Sequence, residues 1–282
     1  MTGDNGGKPI LVAEDVRLYF GGVAAVDGAS LAVEPGRITA LIGPNGAGKT
    51  SFFNAVTGFY KADGGNITFD GGDISGKSPD AIARRGLVRT FQLTKSLARM
   101  SVLDNMMLAA PGQTGEMIFT AWFVPWMIRK QERANREKAM ELLELFNLTE
   151  KKDDYAATLS GGQRKLLELA RALMMDPKMI LLDEPMAGVN PTLGARLLEH
   201  VGRLRDAGMT FVLVEHDMDV VMNVSEHVIV MANGKVITQG TPDEVRTDQE
   251  VIDAYLGAGG GAVDETIDET VAETSLDEER DG

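Results

Sequence analysis

The sequence has no cysteine, only three histidines and two tryptophans among its 282 residues. Without thiols there are no disulfides, no thiolate metal sites and no cysteine nucleophile. No apolar run reaches the roughly 18 residues that a helix needs to cross a bilayer. The polar start MTGDNGGKP has neither the basic nor the apolar region of a signal peptide, so the expected location is the cytoplasm. Basic residues are also scarce, with 28 Lys and Arg against 42 Asp and Glu and a net charge of −14. That balance argues against a general polyanion-binding surface, and no nucleic acid is expected as a partner. It favours solubility, and salt adaptation would explain it equally well.

The most informative stretch present is GPNGAGKT, Gly43 to Thr50. It follows the apolar run Ile38 to Ile42 and precedes the helical-looking Ser51 to Gly58, which predicts strand, glycine loop, helix. A triphosphate needs several backbone N–H donors aimed into one concave turn. Gly43, Gly46 and Gly48 let the main chain make that turn, with Pro44, Asn45 and Ala47 completing it and Ser51 opening the helix. Lys49 supplies a point charge for the β and γ phosphates, and the Thr50 hydroxyl is placed to ligate Mg²⁺.

Further along, Met179 to Leu182 is an apolar run ending in Asp183-Glu184-Pro185. An aspartate closing a buried strand suits the Mg²⁺ anchor of a phosphate loop, and Glu184 is spaced to polarise a water toward the γ phosphate. Hydrolysis is the chemistry this favours. Thr210 to Val214 reads as a strand followed by Glu215-His216-Asp217, making His216 a candidate γ-phosphate contact or a holder of Glu184; the plainer alternative is an exposed histidine. Gln92, just after the short strand Leu87 to Thr90, is either a reach toward Mg²⁺ or the attacking water, or an ordinary polar strand end. Tyr19 and Phe20 lie between two strands, Ile10 to Leu18 and Ala24 to Val33, where an aromatic either stacks on the base or packs at an edge.

LSGGQ, Leu159 to Gln163, precedes a helical stretch from Arg164 to Met174. Ser160, Gly161 and Gly162 read either as a glycine-bearing helix cap or as a second phosphate-binding device. One triphosphate does not need two devices so far apart in sequence. The economical reading is that the second serves the ATP of a partner subunit in a head-to-tail dimer.

Residues 1–9 read as a disordered lead, 10–257 as the folded unit, and 258–282 as a solvated acidic tail. The last twenty residues carry nine acids against one arginine. Between about 101 and 156 the texture turns from glycine-punctuated strands to helix formers, which predicts an inserted helical subdomain. Within it, Met117 to Ile128 is too short to span a membrane and Pro125 is expected to interrupt it. It is either internal cover or a partner-facing surface. Asn233-Gly234 reads as a hairpin turn and Gly240-Thr241-Pro242 as the start of a helix.

Taken together, the order and spacing of these motifs over residues 10 to 256 resemble the ABC ATPases. The fold implied is α/β, a P-loop nucleoside triphosphate hydrolase with an antiparallel β subdomain and an inserted helical subdomain. Within that superfamily the chain most resembles the ATP-binding subunit of branched-chain amino acid importers, through Phe20-Gly21-Gly22 with Ala25-Val26, TGFY at Thr57 to Tyr60, VRTFQ at Val88 to Gln92, AGVNP at Ala187 to Pro191 and AYLG at Ala254 to Gly257.

The resemblance implies that Phe20 stacks on adenine, Lys49 and the loop amides hold the phosphates, and Thr50 and Gln92 ligate Mg²⁺. It further implies Asp183 holding the ion through water, Glu184 as general base, His216 as the switch histidine, and Ser160 with Gly162 closing on the opposite subunit's ATP. The partners implied are a homologous ATPase or a second copy of the chain, two transmembrane permease subunits and, indirectly, a substrate-binding protein, at the cytoplasmic face of the membrane. Importers of urea or another solute, lipid-extraction or export systems, and a soluble ABC protein are the alternatives. Asn190 stands where many ABC ATPases have aspartate.

Overall fold

The structure, a computed structural model, describes residues 8–90, 98–111, 125–215 and 217–258, with the backbone alone at 125–128 and 257–258. Gln92, His216 and Met117 to Val124 lie outside the described residues, as do the acidic tail from residue 259 and most of the lead.

The sheet that carries the site is built from short apolar runs. Strands β3 (Ile38–Ile42) and β8 (Thr210–Val214) are buried at every position, and β7 (Met179–Asp183) at all but its last. Such runs suit parallel strands covered on both faces. They form a six-stranded sheet with β6 (Leu87–Arg89), β9 (His227–Ala232) and β10 (Lys235–Gly240), in the order β10-β9-β3-β8-β7-β6; all neighbours are parallel except the β9–β10 hairpin. A second, antiparallel sheet holds β1 (Leu11–Phe20), β2 (Val23–Val33), β4 (Gly64–Phe69) and β5 (Gly72–Asp73), in the order β2-β1-β4-β5. The expected α/β fold with an antiparallel β subdomain is thus observed.

Side-chain alternation along the central strands sorts the core into layers. Leu41, Leu181, Val212, Val214, Ile229 and Met231 face the antiparallel sheet and α1 (Lys49–Val56), where Phe52 and Phe53 are 1% exposed. Each such phenylalanine contributes about 1.5–3 kcal/mol of burial. Their neighbours Ile180, Leu182, Phe211 and Leu213 point the other way. They meet the helical layer made by α3 (Val102–Leu108), α4 (Pro125–Leu145), α5 (Gly161–Met174) and α6 (Pro191–Asp206), which follow the short α2 (Pro79–Ala83). At the far end Ala40, Ile42, Val228 and Val230 pack under α7 (Met218–Val224), α8 (Pro242–Arg246) and α9 (Gln249–Ala258).

One local expectation shifts. Strand β1 runs on through Tyr19 and Phe20 because Phe20 pairs with Val23 across the Gly21-Gly22 turn and the Tyr19 N–H donates to Asp63 Oδ2 at 2.7 Å. Pro125 is the first described residue of α4, and whether it interrupts Met117 to Ile128 falls on residues outside the described ones.

Candidate functional site

The phosphate loop leaves the C-terminal end of β3 and enters α1 in a conformation that depends on glycine. Gly43 has φ 144° and Gly48 φ 98°. A Cβ on Gly43 would lie 2.0 Å from the Met231 carbonyl oxygen, and one on Gly48 2.3 Å from that of Ala25. The loop is held from beneath by the hairpin turn after β9. The Gly234 N–H donates to Ala47 O at 3.0 Å, and Gly234 O in turn accepts from Asp27 N at 2.8 Å, tying the loop to both sheets. Helix α1 begins at Gly48 with no side-chain cap, so no side chain of the cap residue competes for its first N–H groups.

Lys49 Nζ donates to Gly43 O at 2.6 Å and Pro44 O at 3.0 Å. Burial lowers its pKa, and the charges of Glu184 and Asp183 oppose that shift. Lysine and both carboxylates therefore share one electrostatic neighbourhood, although the lysine starts α1 and the carboxylates lie at the end of β7. Asp183 ends β7, and its Oδ2 accepts from Arg89 Nη2 at 2.5 Å. Glu184 is exposed and has φ 45°, a left-handed conformation that costs a glutamate on the order of 1–3 kcal/mol. Its N–H donates to Val214 O at 3.0 Å, and its carbonyl accepts from Lys165 Nζ at 3.4 Å. The backbone around Glu184 is thus held from β8 and α5 while its side chain stays open to solvent.

Thr50 is exposed at the start of α1. Among the described residues no three His, Cys, Asp or Glu side chains gather as a metal cage. A hydroxyl from Thr50 and one carboxylate from Asp183 fit magnesium nonetheless, because that ion takes one or two carboxylates and completes its shell with water and phosphate oxygens.

Ser160 and Gly162 are not joined to this cluster. Ser160 caps α5 through Gln163 N, and Gln163 Oε1 accepts from Ser160 N at 2.9 Å, a reciprocal capping box. The glycines serve close packing, since a Cβ on Gly161 would stand 3.0 Å from Gly188 O and one on Gly162 2.6 Å from Leu193 Cδ1. Phe20 is 46% exposed at the end of β1 and meets the Tyr60 ring edge-on at 5.2 Å.

Four contributors were not legible as site residues. Arg89 is one, with only 6% of its side chain exposed. Glu215, 1% exposed at the end of β8, accepts the Met186 N–H at 2.9 Å and so ties the turn after Glu184 to the neighbouring strand. Gly234 props the loop. Tyr255 of α9 packs on the core beside Gly43, where burial pushes its hydroxyl up to about 12 and the Gly43 backbone opposes the shift without forming a hydrogen bond of good geometry. Position at a strand end was the available signal for Glu215, and the AYLG ending for Tyr255.

A second concavity of about 760 Å³ opens between β6 and α5, with Phe59, Ile82, Val88 and Ala109 beside Glu168 and Arg171. Burial raises the Glu168 carboxyl to about 7, against the opposing charges of Lys165 and Arg171.

The family described as "ABC transporter" matches residues 26–187, and "Branched-chain amino acid ATP-binding cassette transporter" matches residues 235–260. The probable branched-chain amino acid transport ATP-binding protein LivG of Archaeoglobus fulgidus is 44% identical over 88% of this chain and 96% of its own length. The high-affinity branched-chain amino acid transport ATP-binding protein BraF of Pseudomonas aeruginosa is 41% identical over 89% and 98%. A nucleotide-free ATP-binding cassette from an ABC transporter superposes with a TM-score of 0.77 at 40% identity, covering 88% of this chain and 98% of that one. The ADP conformation of such a cassette gives 0.77 at 39% identity, covering 89% and 100%. A phosphate loop facing Asp183 and Glu184, matched by sequence and fold over nearly nine-tenths of the chain, identifies the protein as a member of the ABC transporter ATP-binding family, an ATP-hydrolysing subunit closely related to the ATPases of branched-chain amino acid importers.

Proposed function

We propose that this subunit drives an importer of branched-chain amino acids, with ATP closing a head-to-tail dimer and hydrolysis reopening it. The observation that carries the chemistry is Lys49 lying in the field of both Asp183 and Glu184 at the mouth of the phosphate loop. In this reading Phe20 stacks on the adenine, while the free N–H groups of the loop and of the start of α1, with the Lys49 ammonium, hold the phosphates. Glu184, exposed and braced from behind, takes the proton of the attacking water, and His216 holds the γ phosphate or the Glu184 carboxylate. Magnesium, held by Thr50, Gln92 and, through water, Asp183, would offset charge on the β and γ phosphates. Ser160 and Gly162 close on the ATP of the opposite subunit, which is either a second copy or a homologue.

The cleft between β6 and α5 is the surface we assign to a permease subunit, one permease for each half of the dimer, and through the permeases to a substrate-binding protein at the other side of the membrane. No helix among the described residues is long and apolar enough to cross a membrane itself, consistent with attachment to the cytoplasmic face through partners. The solute assignment rests on the relatives and on the match at residues 235–260.

Glu184→Gln is expected to bind ATP, accumulate the closed dimer and lose about 10²–10⁴-fold in turnover. Size-exclusion chromatography with ATP and phosphate release measure both, and unchanged hydrolysis would remove Glu184 as the base. Co-purification with a permease pair, followed by binding assays on the associated substrate-binding protein, tests the solute. Recovery of a binding protein that ignores leucine, isoleucine and valine would overturn it.

A further inference from the structure

The buried Arg89 guanidinium joins three elements that the proposed mechanism uses separately. From the end of β6 it donates Nη2 to Asp183 Oδ2 at 2.5 Å and Nη1 to Asn54 Oδ1 of α1 at 2.7 Å, and it lies 5.8 Å above the Phe53 ring. Its backbone is set by pairing of Arg89 with Leu181 of β7, and the next residue continues the ladder with Thr90 N donating to Leu181 O at 3.0 Å. Arg89 is 6% exposed and Asp183 25%, so the pair is buried on the arginine side and opens on the carboxylate side.

A charge-assisted hydrogen bond to one carboxylate oxygen fixes the rotation of the whole group and keeps it ionised. With Oδ2 engaged by Arg89, Oδ1 is the oxygen left to serve the loop. A planar guanidinium can bond the carboxylate and the Asn54 amide at once from a fixed fork, which a lysine ammonium cannot reproduce. Asn54 lies on α1, four residues after Thr50, and Gln92 lies three residues after Arg89 in the chain.

We propose that Arg89 is a positioning residue for the metal site: it orients the Asp183 carboxylate and sets α1, and with it Thr50, at a constant distance from that carboxylate. The proposal rests on the reading of Asp183 as the magnesium anchor. A partner that orients a metal-holding group characteristically alters metal affinity by about 10–100-fold when removed. A residue that only supported the sheet edge would lower stability and leave metal dependence alone.

The test uses the full chain and ADP, so that no turnover is needed. ADP affinity is measured by titration calorimetry in EDTA and across a magnesium series for the native chain, Asp183→Asn, Arg89→Met, Arg89→Lys and Asn54→Ala. The expected result is that Asp183→Asn loses the magnesium-dependent gain. Arg89→Met keeps native ADP affinity in EDTA and needs about tenfold more magnesium for half of the gain. Arg89→Lys falls between Met and native, and Asn54→Ala shows a smaller rise in the same direction. If Asp183→Asn retains the full gain, the metal assignment itself fails. If Asp183→Asn loses it while Arg89→Met shows native magnesium dependence with only a lower melting temperature, that assignment stands and the positioning role of Arg89 is overturned. Should Arg89→Met fail to fold, Arg89→Lys decides, since it keeps a cation near Asp183 but cannot hold the carboxylate and the Asn54 amide from one fork, and native magnesium dependence in it overturns the positioning role.

Discussion

Both the phosphate loop and the LSGGQ stretch put glycines at the start of a helix, yet α1 begins at Gly48 with φ 98° and no side-chain cap, whereas α5 begins at Ser160 with both halves of a capping box formed. In the first, glycine is demanded by a backbone that other side chains cannot adopt and by carbonyls packed against it. In the second, the glycines are helical and merely make room for Gly188 and Leu193. One motif keeps its N–H groups available at its own expense; the other satisfies itself and presents only what a partner can take. That difference fits a chain that binds nucleotide by its own loop and completes the site only in a dimer.

The largest difference between the two motifs is expected when the same methyl group is placed in each. Gly43→Ala forces a Cβ into the Met231 carbonyl at φ 144° and is expected to abolish nucleotide binding and destabilise by at least about 3 kcal/mol. Gly161→Ala, with its nearest contact at 3.0 Å, should bind nucleotide as a monomer with native affinity. Fluorescent-nucleotide titration and denaturant melts of the two variants check this, and equal losses would erase the distinction.

The two helices also bury charges of opposite sign. Lys49 on α1 is pushed down by burial, and Glu168 on α5 is pushed up to about 7. A carboxyl raised on folding stabilises the folded state while it is protonated. That contribution is complete below the ordinary value of 4.5 and is lost as pH rises through about 7. Glu168→Gln should therefore exceed the native chain in stability by about 2 kcal/mol at pH 8, with the advantage shrinking toward pH 5. Urea melts at the two pH values measure it, and a gain that does not vary with pH would contradict the burial argument.

The smallest effect is expected at Ser160. Losing its cap costs about 1 kcal/mol in the isolated chain. ATP-dependent dimerisation should fall by more than that loss of stability explains, and a purely proportional loss would reduce Ser160 to a cap.

What could be read in the sequence was what lies close together in it. The loop Gly43 to Thr50, the strand that feeds it and the pair Asp183-Glu184 each declare their chemistry within a few residues, as does the start of α5. The supports do not. Arg89 and Asp183 are 94 residues apart, and Glu215 reaches Met186 across 29. A lone arginine at a strand end has the same local pattern whether it is solvated or buried against a carboxylate. The Asn233-Gly234 turn was readable as a hairpin, but that it forms the floor of the phosphate loop depends on how β9 lies beside β3, which no local pattern encodes.

The contact between Gly234 and Ala47 also has a consequence for synthesis. The loop leaves the ribosome nearly 190 residues before the turn that holds it from below, and at translation rates of about 5–20 residues per second the interval is on the order of 10–40 s. Throughout that time a recognisable nucleotide motif exists without its floor, and nascent chains stopped before residue 231 should fail to retain ATP. Nucleotide binding is therefore a late event in the life of this polypeptide, acquired only when the second half of the chain has come back to the first.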